Sequence, residues 1–153
     1  MVVWDFDMTI LQIHAFGDGI EPHEVAARWR EDVADANLFR AFVLQAHEMG
    51  VGVGIASYGR ADVIGEYLDH IVPGAFRPQD IVTSGSLVDE KRQALGLPGI
   101  TDGMWVPNGK VLMLDLLCSR ASPAVTDRSA VLFFDDDREL SLIHISEPTR
   151  RSA

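Results

Sequence analysis

The chain has one cysteine, Cys118, among 153 residues. It can form no internal disulfide, which excludes the cross-linked scaffolds of small secreted domains and fits a reducing compartment. Cys118 sits in an apolar helical run and reads as core packing. No apolar run is long enough to span a bilayer. Met1 leads straight into Val2, Val3, Trp4 and Asp5, without the basic segment and apolar stretch of a secretory signal. A cytoplasmic protein is the expectation. Cations are scarce: 13 Lys and Arg stand against 23 Asp and Glu, a formal charge of −10, with no basic stripe. Nucleic-acid binding needs cationic side chains to neutralise phosphates, so this balance argues against that partner, although a local basic pocket is compatible with it. Nothing points to a membrane. Internal repeats and low-complexity segments are also missing. Apolar residues make up 47% of the chain, enough for the core of one ordinary domain.

The hydrophobic pattern alternates between two periods. Val2–Phe6 is a β-branched, apolar run ending in acid and predicts a buried strand. Thr9–Pro22, broken by Gly17 and Gly19, is a loop. From His23 the pattern turns helical. Leu38, Phe39, Phe42, Ala46 and Met49 mark the apolar face, and Gly50 ends it. Val51–Ala56 predicts a second strand, Arg60–Ile71 a helix with Val63, Ile64, Tyr67, Leu68 and Ile71 inward, and Asp80–Thr83 a third strand. Leu87–Leu95 reads as a short helix, Pro98–Gly109 as a loop, Lys110–Arg120 as an apolar helix and Ala130–Phe134 as a last strand. Strands alternating with helices imply an α/β, three-layer, Rossmann-like fold with a mostly parallel sheet. In such sheets ligands bind at the carboxyl ends of the strands.

The chemistry-bearing residues fall at those ends. Asp5 closes the first strand and Asp7 follows two residues on, within reach of the same bound group. Two close carboxylates repel unless a cation lies between them or one is protonated. An all-oxygen site suits Mg²⁺, which takes one or two carboxylates plus waters and substrate phosphate. Ser57 ends the second strand with a hydroxyl able to donate to a phosphate oxygen. Lys110 opens a helix, where ammonium and helix N-terminus both favour an anion. Asp135 and Asp136 end the last strand with further hard carboxylates, and Asp137 reads as a loop acid. Each residue alone has a plainer explanation: a solvated loop for Asp5 and Asp7, a helix cap for Ser57, a surface charge for Lys110, a turn for the aspartates. Their joint order favours one site. His14 lies near it in the loop after the first strand and is read as either a substrate contact or a packed loop residue. Trp105 is read as either a lid wall or a cover for the core. His23, His47 and His70 lack metal-ligand spacing, so no zinc site is expected.

Asp5-Phe6-Asp7-Met8-Thr9, Ser57, Lys110 and Asp135-Asp136 together resemble the four motifs of the haloacid dehalogenase superfamily, over nearly all of residues 1–139. The resemblance implies that Asp5 is a nucleophile forming an aspartyl-phosphate. It implies that Asp7 is the general acid and base, with its backbone carbonyl on the metal. Ser57 and Lys110 would hold phosphate oxygens. Asp5, Asp7, Asp135 and Asp136 would form the Mg²⁺ site. An acid at position 7 favours phosphate ester cleavage over dehalogenation, where halide leaves without a proton.

Substrate choice in that family is set largely by inserted cap domains. Residues 8–56 number 49 and residues 58–109 number 52, and most of each stretch is used by predicted core elements. No large cap fits, so the chain resembles the capless, magnesium-dependent phosphatase branch. The expected substrate is a phosphorylated small molecule or a phosphoprotein. Capless relatives often place Arg directly after the serine; here Tyr58 and Gly59 precede Arg60, which leaves the role of Arg60 open. A phosphotransferase of the same fold would need a water-excluding cap, and an inert or purely binding module would have little reason to retain every motif residue.

Residues 140–150, LSLIHISEPTR, resemble the translated sequence of a DNA-sequencing library adapter. Residues 140–153 are therefore expected to be a non-native tail, with 1–139 a phosphatase-type domain incomplete at its C-terminus. On that expectation His144 and Glu147 are not ligands. The chain would also be less stable than its natural counterpart and possess an impaired activity.

Overall fold

The computed structural model describes residues 1–136; Asp137 and the 140–153 tail lie outside the described residues. Four strands, β1 (Val2–Trp4), β2 (Val53–Ser57), β3 (Ile81–Thr83) and β4 (Leu132–Phe134), form an all-parallel sheet in the order β3-β2-β1-β4. Five helices accompany them among the described residues: α1 (Val25–Asp32), α2 (Ala36–Glu48), α3 (Ala61–Ile71), α4 (Glu90–Ala94) and α5 (Gly109–Arg120). This is the α/β alternation expected, compatible with a Rossmann-like architecture.

Strand alternation divides the interior in two. Val53, Ile55 and Ile81 face one way and pack with Phe39, Val43, Ile64, Tyr67 and Leu68 of α2 and α3. Val3, Ala56, Val82 and Phe133 face the other way and meet Met113, Leu114 and Leu117 of α5. Helices thus cover both faces. Gly54 is needed for the second packing: a Cβ there would sit 2.9 Å from Leu117 Cδ2, so α5 could not lie as close to β2.

Local signals explain the helix ends. The Asp35 carboxylate accepts from Leu38 N at 3.0 Å and caps α2. Gly50 follows the helix with φ of +72°, the left-handed stop expected of it. One part of the expected α2 face is corrected. Phe39, Val43 and Ala46 are buried, whereas Leu38 and Met49 are 64% and 70% exposed. The expected face of α3 is buried in full.

The register builds the ligand end of the sheet. Trp4 pairs with Ile55 on one side and Phe134 on the other, and Asp5 N donates to Phe134 O at 2.8 Å. One step beyond these pairs, Asp5 stands level with Asp135 in the parallel ladder. Ser57 pairs with Thr83 at the end of β2. No helix of the described residues is long and apolar enough to cross a membrane.

Candidate active site

Asp5 is 7% exposed. A carboxylate so far from water needs a partner, and Lys110 provides it. Gly109 and Lys110 begin α5 directly after Asn108, whose φ of +56° turns the chain into the helix. The Lys110 side chain then reaches back to the sheet: Nζ lies 2.6 Å from Asp5 Oδ1, donates to Ala56 O at 2.8 Å and is 3.5 Å from Asp135 Oδ2. The rings of Tyr58 and Phe133 stand 5.8 and 5.6 Å from the ammonium and exclude water from it. Thr9 Oγ1 approaches the other oxygen of Asp5 at 3.5 Å.

Asp5, Asp135 and Asp136 each offer a carboxylate oxygen, and these atoms lie within 4.8 Å of one another. Three carboxylates against one ammonium are electrostatically unbalanced, and the imbalance appears in their proton affinities. Burial pushes Asp5 up to about 7, against the pull of Lys110 and with help from the neighbouring Asp135 and Asp136. Burial also works to raise Asp136, but hydrogen bonds from Asp5 and Asp135 outweigh it and hold that group below its ordinary value. A hard divalent cation would restore the balance without a shared proton, and the donor set, oxygen throughout, suits one. By these criteria Asp5, Asp135 and Asp136 fit a metal.

Asp7 stands apart from that triad through its side chain. Its Oδ2 accepts from Phe16 N at 3.2 Å. Burial raises its pKa, and the backbone hydrogen bonds from Phe16 and Ala15 only partly offset this, so the carboxyl is biased toward holding a proton. Among the described residues, the Asp7 carboxylate is not one of the oxygens close enough to share an ion with Asp5, Asp135 and Asp136. Met8, next in the chain, has φ of +60°, a left-handed turn immediately after the two aspartates. Ser57 is 2% exposed, and its Oγ accepts from Gly59 N at 2.9 Å. That bond uses the oxygen as acceptor and leaves the hydroxyl hydrogen for a ligand.

All six expected site residues, Asp5, Asp7, Ser57, Lys110, Asp135 and Asp136, line one open cleft of about 510 Å³. His14 and Trp105 line it too, Trp105 with 73% of its surface exposed. Arg60 does not. It is held by Glu21 at 2.9 Å and Asp62 at 2.7 Å.

Three contributors were not anticipated from the sequence. The Tyr58 hydroxyl donates to Val106 O at 3.1 Å, and its ring lies where a Cβ on Gly109 would have to be. Phe16 covers Gly103 in the same way. Asp102 ties three elements together: Oδ2 accepts from Ala61 N at 2.9 Å, and Oδ1 accepts from Thr83 Oγ1 at 2.6 Å and Gly85 N at 3.1 Å. Thr101-Asp102-Gly103 is a turn signal in the sequence, but a turn signal names no distant partner. Searches of protein-family models, curated proteins and solved structures found no match to this chain.

Proposed function

We propose that this chain carries a magnesium-dependent phosphatase site of the haloacid dehalogenase type, hydrolysing phosphate monoesters through an aspartyl-phosphate on Asp5. The observation that carries the reading is the buried contact of Asp5 with Lys110 beside Asp135 and Asp136, at the carboxyl end of a parallel sheet, with Asp7 and Ser57 in the same cleft. Bound Mg²⁺, held by Asp5, Asp135 and Asp136, would offset the charge of nucleophile and phosphate.

The residues divide the work by position. Ser57 donates its hydroxyl to a phosphate oxygen. Lys110 neutralises Asp5 and a second phosphate oxygen, lowering the repulsion between two anions. Asp5 attacks phosphorus as the ester P–O bond breaks, and Asp7 gives its proton to the departing oxygen. Asp7, now ionised, takes a proton from water as that water attacks the aspartyl-phosphate. This releases inorganic phosphate and restores both carboxyl groups.

The described elements support a site without a large cap. Residues 8–56 are occupied by α1, α2, most of β2 and their connecting loops, and residues 58–109 by α3, β3, α4 and their connecting loops. Such a cleft admits a phosphorylated small molecule or a phosphorylated side chain.

The test is hydrolysis of a generic aryl phosphate with Mg²⁺ and with EDTA, in the wild-type chain and in Asp5→Asn. The expected result is metal-dependent turnover that Asp5→Asn lowers on the order of 10³-fold or more. Turnover that survives Asp5→Asn would remove Asp5 from the nucleophile's role. A folded, metal-binding protein without turnover of this ester or of alkyl phosphates would favour a binding module.

A further inference from the structure

A second cavity adjoins the cleft. It has a volume of about 210 Å³, and Phe6, Ala15, Ile20, Val63 and Ile64 form its apolar walls. It shares Asp7, Phe16 and Gly59 with the larger cleft. Asp7 therefore borders two unlike spaces. One holds Asp5, Ser57, Lys110, Asp135 and Asp136, every group suited to a phosphoryl moiety and its metal. The other has apolar walls.

A general acid must stand beside the oxygen it protonates, at the junction of the transferred phosphoryl and the group that leaves. With the phosphoryl on the side of Asp5, Ser57 and Lys110, the remainder of the ester lies on the far side of Asp7. We infer that the apolar cavity between Phe16 and Val63 is the leaving-group subsite, and that the substrate is the phosphate monoester of a small, uncharged, apolar alcohol. This rests on the phosphatase reading above.

The charges around the cavity sharpen the class. Arg60 lines it, but its guanidinium is already taken by Glu21 and Asp62. A leaving group bearing a carboxylate or a second phosphate therefore meets an arginine already shared between two carboxylates and finds no cation left on the cavity wall to pair with it. Polyol and sugar leaving groups would bury hydroxyls against Phe6, Ile20 and Val63, which accept no hydrogen bonds from them. Size sets the other limit. At roughly 30 Å³ per heavy atom the cavity takes about six or seven carbons.

The test uses n-alkylphosphonates from methyl to octyl as non-hydrolysable ligands, titrated calorimetrically in the presence of Mg²⁺, alongside turnover of the matching n-alkyl phosphates. Affinity should rise about fourfold per methylene up to about six carbons and then stop rising. An ω-carboxyalkylphosphonate of equal length should bind at least tenfold more weakly than its alkyl counterpart. Val63→Phe, which adds bulk to the cavity wall, should flatten the length dependence of phosphonate affinity. The wild-type series alone decides if that variant does not fold. A flat series with ready turnover of methyl phosphate overturns the subsite and spares the phosphatase reading. A rising series of phosphonate affinities without turnover of any ester keeps the subsite and overturns the phosphatase reading. A gain in melting temperature in Val63→Phe with the length dependence unchanged would identify the cavity as a packing void and overturn the subsite.

Discussion

Asp5 is held by two opposing effects. Burial disfavours its charge, and the ammonium of Lys110, 2.6 Å away, favours it. Burial is the larger, since the metal-free carboxyl sits at about 7 rather than 3.8. The sign of the consequence follows. A raised carboxyl pKa stabilises the protonated, metal-free fold at low pH, and that contribution fades as pH climbs through about 7. A cation selects the ionised carboxylate, so Mg²⁺ affinity should move the opposite way. It should increase up to about tenfold per pH unit between pH 5 and 7 and level off above. Titration in two buffers of different ionisation enthalpy should show close to one proton released per Mg²⁺ at pH 6 and little release at pH 8.5. Equal affinity at pH 5.5 and 8 would show that Asp5 is not the titrating ligand. The identity of Asp5 as a site residue was legible in the sequence, because a carboxylate at the end of an apolar strand is conspicuous. Its protonation was not, because it depends first on burial, then on Lys110, 105 residues away in the chain, and last on Asp135 and Asp136, all of which only the fold brings together.

Among the elements, the loop before α5 is the one whose placement matters most to the site and was least readable. It contains Trp105 of the cleft wall and leads into Lys110, and its Asp102 accepts hydrogen bonds from the first turn of α3, the end of β3 and the turn after it. Removing an acceptor that satisfies several partly buried donors costs more than one ordinary hydrogen bond. Asp102→Ala should therefore destabilise the fold by about 2–3 kcal/mol, with Asp102→Asn intermediate, read from the urea midpoint at unchanged m-value. A midpoint within error of wild type would show that the latch bears no weight. Helix periodicity, by contrast, was legible, with one instructive error. Measured from Phe39 at about 100° per residue, Val43 and Ala46 fall within roughly 40° of it, while Leu38 and Met49 lie roughly 100° and 80° away on the same side. An apolar residue at the margin of a stripe looks the same in sequence as one at its centre. What packs beside the helix decides which of them is covered, and here Phe39, Val43 and Ala46 are the ones that join the core.

For the molecule as a whole, the sheet order determines what the site can do to stability. Asp5 follows β1, and Asp135 and Asp136 follow β4, a three-residue strand paired to β1 and to no other strand described. The alternation of elements predicts that these ends gather at one edge; the adjacency of β1 and β4 is a matter of topology that no local pattern contains. In the metal-free state the carboxyl groups at the two strand ends are crowded, and the raised proton affinity of Asp5 together with the Lys110 ammonium relieves that crowding. A cation held by both strand ends would join them, and its binding energy is available only to the folded chain. At a free Mg²⁺ concentration one hundred times the dissociation constant the stabilisation should be about 2.7 kcal/mol. That corresponds to a rise of roughly 5 °C or more in melting temperature for a domain of this size. Asp135→Asn weakens the link at its β4 end, so most of the Mg²⁺-induced rise should vanish in that variant. The metal-free melting temperature of Asp135→Asn should match or exceed that of wild type, because one of three crowded carboxylates is gone. Calorimetric scans with Mg²⁺ and with EDTA on both proteins measure the two effects together. Should Asp135→Asn retain the full Mg²⁺ response, the ion binds elsewhere and does not join β1 to β4.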